Sequence, residues 1–309
     1  MKFSIIIPSY NGADVIGRSV NSAIDQTFSD FEVIIVDDGS TDNTHIVCRA
    51  FTDRRIRYHR LKLNSGVHVA RNKGISMAEG EYILLLDGDD ELMPHALSTV
   101  AGFISQHPDA GLISARCITD DGELTGINVE STGYVRYEDL ICSRLPMRIK
   151  QALPVIKSSI AKKHKFVAPN TDYIFYRYVM RDTKNFFINE PLAYYHMQDS
   201  PNSLHVTRKK PNIDLSIKRA RAIDEFLLDF KNDYVKHCSR LFANYAYSAA
   251  IGLLLAYKYK RAIVRSYEAA RYSKLRPQYV VLFLFALIPG SGYLLRMLFR
   301  IKKWRMEVG

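Results

Sequence analysis

Short, mostly apolar runs alternate with longer segments in which apolar residues recur every three or four positions. Residues 3–8 (FSIIIP) form the first run, a buried strand closed by Asn11-Gly12. Val15, Ile16, Val20, Ala23 and Ile24 then share one face of a helix. Residues 31–36 (FEVIIV) predict a second strand, stopped by Asp37-Asp38-Gly39-Ser40, with Thr41 or Asp42 placed to cap the next helix. A third strand is expected at 56–61, a helix at 66–78, and a fourth strand at 82–86 (YILLL), stopped by Asp87-Gly88-Asp89-Asp90. Pro94 suits the first turn of a helix running to about Gln106, and a fifth strand follows at 110–115.

Strands alternating with helices predict an α/β fold with a mainly parallel, doubly wound sheet. Ligands of such sheets bind at the carboxyl ends of the strands. Those ends carry Pro8-Ser9-Tyr10-Asn11, Asp37-Asp38 and Asp87-Gly88-Asp89-Asp90. Beyond residue 116 the pattern is less regular, with a helix expected at 170–180, a late strand at 186–188, and helices through 213–275. Neither an internal repeat nor a low-complexity tract is visible. The 309 residues suit one catalytic domain, 1–206, split into a nucleotide-binding half (1–115) and an acceptor half (116–206), with an extension at 207–309.

Charge sharpens that division. Residues 1–206 hold 22 Lys/Arg against 25 Asp/Glu, whereas 207–309 hold 21 against 7. A basic segment faces polyanions, either nucleic acid or an anionic membrane. Residues 279–299 are strongly apolar but are broken by Pro289-Gly290 and interrupted by Arg296, too flawed for a clean crossing of ~20 residues. Arg300, Lys302, Lys303, Trp304 and Arg305 follow directly, the company of an interfacial segment (279–305). This selects a peripheral, monotopic membrane contact over nucleic acid; a core helix or a dimer contact is the competing reading. Cys48, Cys117, Cys142 and Cys238 form no CxxC pair and read as free thiols. No signal-peptide pattern opens the chain, which places the expected site of action in the cytoplasm, on the inner membrane face.

Asp87 and Asp89, with Gly88 between them, offer oxygen ligands to a hard divalent cation, Mn²⁺ or Mg²⁺, that would bridge to a diphosphate. Either acidic turn taken alone equally fits a solvated helix start. The conjunction of both turns with Pro8-Ser9-Tyr10-Asn11 on neighbouring strands points instead to a ligand site.

In order and spacing, IIIPSYNG (5–12), SAIDQTFSDFEVIIVDDGSTD (22–42), ARNKGI (70–75) and EGEYILLLDGDDELMP (79–94) resemble the family-2 glycosyltransferases of GT-A fold. No GxGxxG follows the first strand, which separates the chain from dinucleotide-binding enzymes. The resemblance implies an inverting, metal-dependent hexosyl transfer from a nucleotide-sugar, with a UDP-sugar favoured. By it, Pro8 and Tyr10 line the base pocket and Asp38 accepts a hydrogen bond from a uracil imide. Arg71 lies near the phosphates or braces the acidic turns. Asp87 approaches ribose and metal, and Asp89 is the main metal ligand. The family's general base falls at Asp172, although Thr171 stands where a Glu is usual and Asp172 also suits a helix cap. His196 lies near the family's terminal Arg/His motif and reads as a structural histidine more readily than as a phosphate contact. The basic tail suggests a lipid-linked or surface glycan acceptor. A nucleotidyltransferase and a catalytically inactive GT-A scaffold are the alternatives. The first lacks its Gly-rich, Lys/Arg-bearing loop after Pro8, and the retained Asp38, Asp87, Asp89 and Asp172 argue against the second.

Overall fold

The computed structural model describes residues 2–126, 131–142, 152–169, 171–196 and 212–308, with side chains to residue 299. In chain order the elements are β1 (Phe3–Ser9), α1 (Ile16–Ile24), β2 (Phe31–Asp37), α2 (Thr44–Ala50), β3 (Ile56–Arg60), α3 (Val67–Met77), β4 (Tyr82–Leu85), β5 (Glu91–Leu92) and α4 (Ala96–Gln106). Next come β6 (Ala110–Thr119), β7 (Leu124–Thr125), β8 (Gly133–Val135), α5 (Tyr137–Cys142), β9 (Leu153–Lys157), α6 (Ser158–Ala161), α7 (Asp172–Asp182) and β10 (Lys184–Tyr195). Four helices complete the chain: α8 (Ile213–Leu255), α9 (Tyr259–Tyr272), α10 (Pro277–Ala286) and α11 (Ser291–Val308).

The chain divides into two compact units, Met1–Phe166 with Phe175–Ser203, and Val167–Ile174 with Leu204–Gly309. The first is built on one sheet of order β3-β2-β1-β4-β9-β6-β10-β5, with β7 on β6 and β8 on β10. β1 to β4 are mutually parallel, and β10 runs parallel to β6. β9 inserts antiparallel between β4 and β6, so the sheet is mixed rather than mainly parallel throughout.

β1 and β2 are buried at all seven positions because both faces of the sheet are covered, which is why they read as mostly apolar runs, and the buried Ser4 donates to Glu32 (2.7 Å). Successive residues enter opposite layers. Phe3, Ile5, Ile7, Val33 and Ile35 pack with α1 and α4, while Ile6, Ile34 and Val36 pack with α3 and α7. On α1 the buried residues Ile16, Ser19, Val20 and Ala23 fall at helical spacing. Helix α4 starts two residues beyond Pro94, whose carbonyl accepts the Thr27 N–H (3.0 Å).

In the second unit α8 reverses direction at Cys238 (φ −153°, ψ 59°). Phe226 therefore meets Tyr245 edge-on (6.0 Å between rings), and a Cβ on Gly252 would lie 2.2 Å from that of Ala220. A buried charge network ties α8 to α9. Arg265 donates to Asp224 (2.6 Å) and Glu268 (2.6 Å), and Lys231 donates to Glu268 (2.6 Å). Breaking such a network from one side leaves uncompensated buried charge, so it specifies how the helices pack. All four cysteines are free thiols.

Candidate active site

Three strand ends converge in the first unit. The Asp38 N–H donates to the Ser9 carbonyl (2.8 Å) and the Leu86 N–H to the Ile6 carbonyl (3.0 Å), so the chain leaves β2, β1 and β4 side by side. The strand order reverses between β1 and β4, the position where open α/β sheets form their ligand crevice. Pro8 is buried at the end of β1, and Tyr10 beyond it presents an exposed ring.

The turn after β2 is held from both sides. Asp37 is fully buried and accepts from the Ser40 N–H (2.8 Å) and the Tyr58 hydroxyl (2.7 Å), with Arg60 Nε at 3.5 Å. Burial and that carboxylate push the Tyr58 phenol well up. Asp37 is thus a structural anchor, and its neighbour Asp38 faces the crevice loop. Asp38 accepts from the backbone N–H groups of Ser65 (2.8 Å) and Gly66 (2.7 Å). Burial nonetheless holds its carboxyl above the usual carboxylate range. Each carboxylate oxygen has two acceptor positions, so lone pairs remain for a further donor. Gly39 adopts φ +71°, and a Cβ there would meet the Leu63 backbone at 2.5 Å, so only glycine closes this turn. Asn11, at φ 48°, staples the β1 loop to it by accepting from the Thr41 N–H (2.8 Å) while its own N–H donates to the Ser40 hydroxyl (2.9 Å).

The turn after β4 crowds three carboxylates. Gly88 lets it lie against β1, since a Cβ would stand 2.9 Å from the Pro8 carbonyl oxygen. The buried Arg71 donates to Asp87 at 2.5 Å, and its guanidinium lies 5.4 Å from the centre of the Phe166 ring. Burial and the Asp87 charge push Asp89 up to about 6. Burial, Asp87 and Asp89 raise Asp90 well above the usual range. Neither Asp89 nor Asp90 caps α4, because β5 intervenes. Instead Asp90 accepts from the His196 N–H (3.1 Å). The His196 ring spans two more acids, with Nε2 2.9 Å from Glu91 and Nδ1 2.5 Å from Asp120. Arg18 reaches from α1 to the Asp89 carbonyl (2.8 Å) and to Glu91 (3.2 Å).

Among the described residues no three or more acid, His or Cys side chains are grouped to hold a metal by themselves. Mg²⁺ is commonly held by one or two carboxylates together with water and phosphate oxygens, and Asp87 and Asp89 are the residues that would hold such a cation. The charge crowding on Asp89 is what such a cation would relieve.

Pro8, Tyr10, Asp38, Arg71, Asp87 and Asp89 all fall in the first unit, whereas Asp172 belongs to the second. Asp172 is buried in the first turn of α7. Thr171 before it donates its hydroxyl to the Ala168 carbonyl (2.8 Å), and Tyr173 after it stacks on Tyr245 (5.1 Å). Asn170, where the helix was expected to begin, lies outside the described residues, as do 197–198 next to His196. Arg18, Glu91 and Asp120 were not legible as parts of this site. Glu91 adjoins the acidic turn, but Arg18 and Asp120 carry no local signal.

The model of Glycosyl transferase family 2 matches residues 4–159. The chain is 29% identical over 224 residues to the poly(ribitol-phosphate) beta-N-acetylglucosaminyltransferase TarP of Staphylococcus aureus, covering 68% of each chain. It is 46% identical over 90 residues to the putative teichuronic acid biosynthesis glycosyltransferase TuaG of Bacillus subtilis, covering 28% of this chain and 36% of that one. Among solved structures, S. aureus TarS 1-349 in complex with UDP-GlcNAc superposes with a TM-score of 0.66 at 19% identity, over 93% of this chain and 90% of that one. The mannosyltransferase PcManGT from Pyrobaculum calidifontis, in complex with GDP-Man and Mn²⁺, reaches 0.52 at 16% identity, over 98% and 87%. With the acidic turns following β2 and β4 on either side of β1 and the family's match running through all three strands, the chain belongs to glycosyl transferase family 2 and has the GT-A fold.

Proposed function

We propose that this glycosyltransferase moves a sugar from a UDP-sugar, with inversion, onto a lipid-linked or surface glycan at the cytosolic face of a membrane. Residues 1–206 form the catalytic domain in this reading, and 207–309 the membrane-associating extension. The observation that carries it is the convergence of Asp38 beyond β2 with Asp87 and Asp89 beyond β4, the strand ends on either side of β1, with Arg71 bracing the last turn. Relatives whose names describe N-acetylglucosaminyl transfer to poly(ribitol-phosphate), and a fold shared with a UDP-GlcNAc complex, support the donor and acceptor classes.

Pro8 and Tyr10 supply an apolar edge and a flat face for the base. Asp38, already fixed by two backbone amides, accepts the imide N–H of uracil through a remaining lone pair. Arg71 holds Asp87 in place, so that Asp87 approaches the ribose and the cation while Asp89 is the cation's main ligand. Bound Mn²⁺ or Mg²⁺ would neutralise the charge gathering on the leaving diphosphate. Asp172 takes the proton of the acceptor hydroxyl as that oxygen attacks the anomeric carbon.

The direct test incubates purified protein with Mn²⁺ and a panel of UDP-, GDP-, TDP- and CMP-sugars, following nucleotide release with and without EDTA. EDTA-sensitive release from a UDP-sugar is expected. Release from a GDP- or CMP-sugar alone would overturn the uracil reading of Asp38. UDP that fails to bind at all would return the inactive scaffold.

A further inference from the structure

The two helices at the end of the chain leave one apolar side uncovered. α10 and the first half of α11 are joined through a short break at Gly290 (φ +78°) and bend by 119°. No single helix among the described residues is long and apolar enough to cross a membrane. At ~1.5 Å per residue, the ten residues of α10 rise about 15 Å, half of a ~30 Å hydrocarbon core.

The inner side of the pair is fixed to the rest of its unit. The Tyr279 hydroxyl donates to Asn244, and Arg296 donates to the Leu255 carbonyl (2.7 Å) and lies 4.6 Å from the centre of the Tyr257 ring. A Cβ on Gly292 would stand 2.3 Å from the Leu254 carbonyl oxygen, so α11 rests directly on backbone. Among the described residues the outer side has no such cover. Val281, Leu284 and Ile288 recur at helical spacing, as do Leu294 and Leu298, and all are exposed, Val281 by 63% and Leu284 by 56%. A contiguous exposed apolar face marks an interaction surface.

Charge says what covers it. Residues 256–299 contain eight Lys/Arg and a single acid, Glu268. Glu268 is buried and paired with Arg265 and Lys231. Exposed charge on this stretch is therefore positive, including Lys274 and Arg276, which immediately precede α10. A second copy of the chain would bring like charges together around the apolar contact, which opposes association. An anionic lipid surface meets both features at once.

We propose that the bent α10–α11 pair is an interfacial wedge. Its outer side chains enter the headgroup and upper acyl region of one anionic leaflet, Lys274 and Arg276 engage lipid phosphates, and the chain does not cross. This rests on the membrane reading above and names the surface that performs it.

The test is flotation of the full chain with vesicles of phosphatidylcholine alone or with a quarter phosphatidylglycerol. Wild type should float with the anionic vesicles only, and ~0.5 M salt should release it, because surface electrostatics is then screened within a few ångströms. The variant L284E/I288E should lose binding by about tenfold or more, since charge replaces buried apolar area. K274E/R276E should weaken binding in the same direction. Unchanged circular dichroism and UDP-sugar turnover would show that both variants are folded. L284E/I288E floating like wild type would overturn the wedge while leaving the membrane reading intact. Wild type floating with neither vesicle would overturn the membrane reading itself. Retention of wild type at high salt would overturn the shallow, charge-assisted mode. A change from dimer to monomer in L284E/I288E by sedimentation velocity, without an effect on flotation, would make the face a protein contact.

Discussion

Asp87 and Asp89 are two residues apart and meet opposite surroundings. Asp87 has a buried guanidinium at 2.5 Å, whereas Asp89 faces burial and the charge of Asp87. Their roles divide accordingly, and Asp89→Asn tests the division in two ways. Turnover should fall by about 100-fold or more, the scale for losing a preorganised electrostatic contact in the transition state. Stability should respond with a definite sign. A carboxyl raised from 3.8 to about 6 binds its proton more tightly in the folded protein, so metal-free wild type loses stability as pH rises from about 4 to about 6. Asp89→Asn removes that loss, and its Tm minus that of wild type should grow across this window, by the equivalent of about 1–2 kcal/mol after solvent screening. A difference that is flat with pH would mean that Asp89 is not strained. Asp172 makes the complementary case. As the proposed base it would act only in the transition state, so Asp172→Asn should lower kcat by about 10²-fold or more while UDP affinity by calorimetry changes little. A matching loss of UDP affinity would place Asp172 in nucleotide binding instead.

At the level of elements, β1, β2 and β4 were legible because full burial on both faces turns each into a mostly apolar run that ends in turn residues. The late strands were legible in part at most. Residues 153–157 (LPVIK) are buried at four positions but short, and Pro154 argues against a strand. A late strand was expected only at 186–188, yet β10 runs from Lys184 to Tyr195, through register shifts on either side of Pro191. Continuing past Pro191 is what delivers His196 to the acidic turn, a contact between residues 105 and 106 positions apart that no local pattern encodes. The acidic turns themselves were visible in the sequence. Their braces Arg18 and Asp120 belong to tertiary structure and were not, and His196 read as a structural histidine without its partners. His196 therefore acts as a clamp between the end of β10 and the turns flanking β5 and β6. His196→Ala should lower kcat about tenfold with a smaller effect on KM and reduce Tm by a few degrees. Loss of Mn²⁺ binding with unchanged Tm would identify the ring as a ligand rather than a clamp.

Across the whole molecule, charge and chemistry are segregated. The groups proposed to face the nucleotide occupy the first unit, which carries the balanced part of the sequence, and the basic excess belongs to the second. A ligand that binds only the strand ends should stabilise the unit that contains them. At 100 times its dissociation constant a ligand contributes about 2.7 kcal/mol, which slows by about 100-fold the exchange of amides that open with that unit. Hydrogen exchange of the full chain with UDP and Mn²⁺ should therefore show protection centred on 9–12, 37–42, 63–71 and 87–91. The Ser65 and Gly66 amides should respond most directly, because their N–H groups are held by Asp38 and report any tightening of that loop. Amides of 213–299 should keep their rates, since their hydrogen bonds lie within α8 to α11. Equal slowing in both sets would mean that the units open as one cooperative body. Protection confined to 213–299 would remove the nucleotide from the strand ends, and with it the roles assigned to Asp38, Asp87 and Asp89.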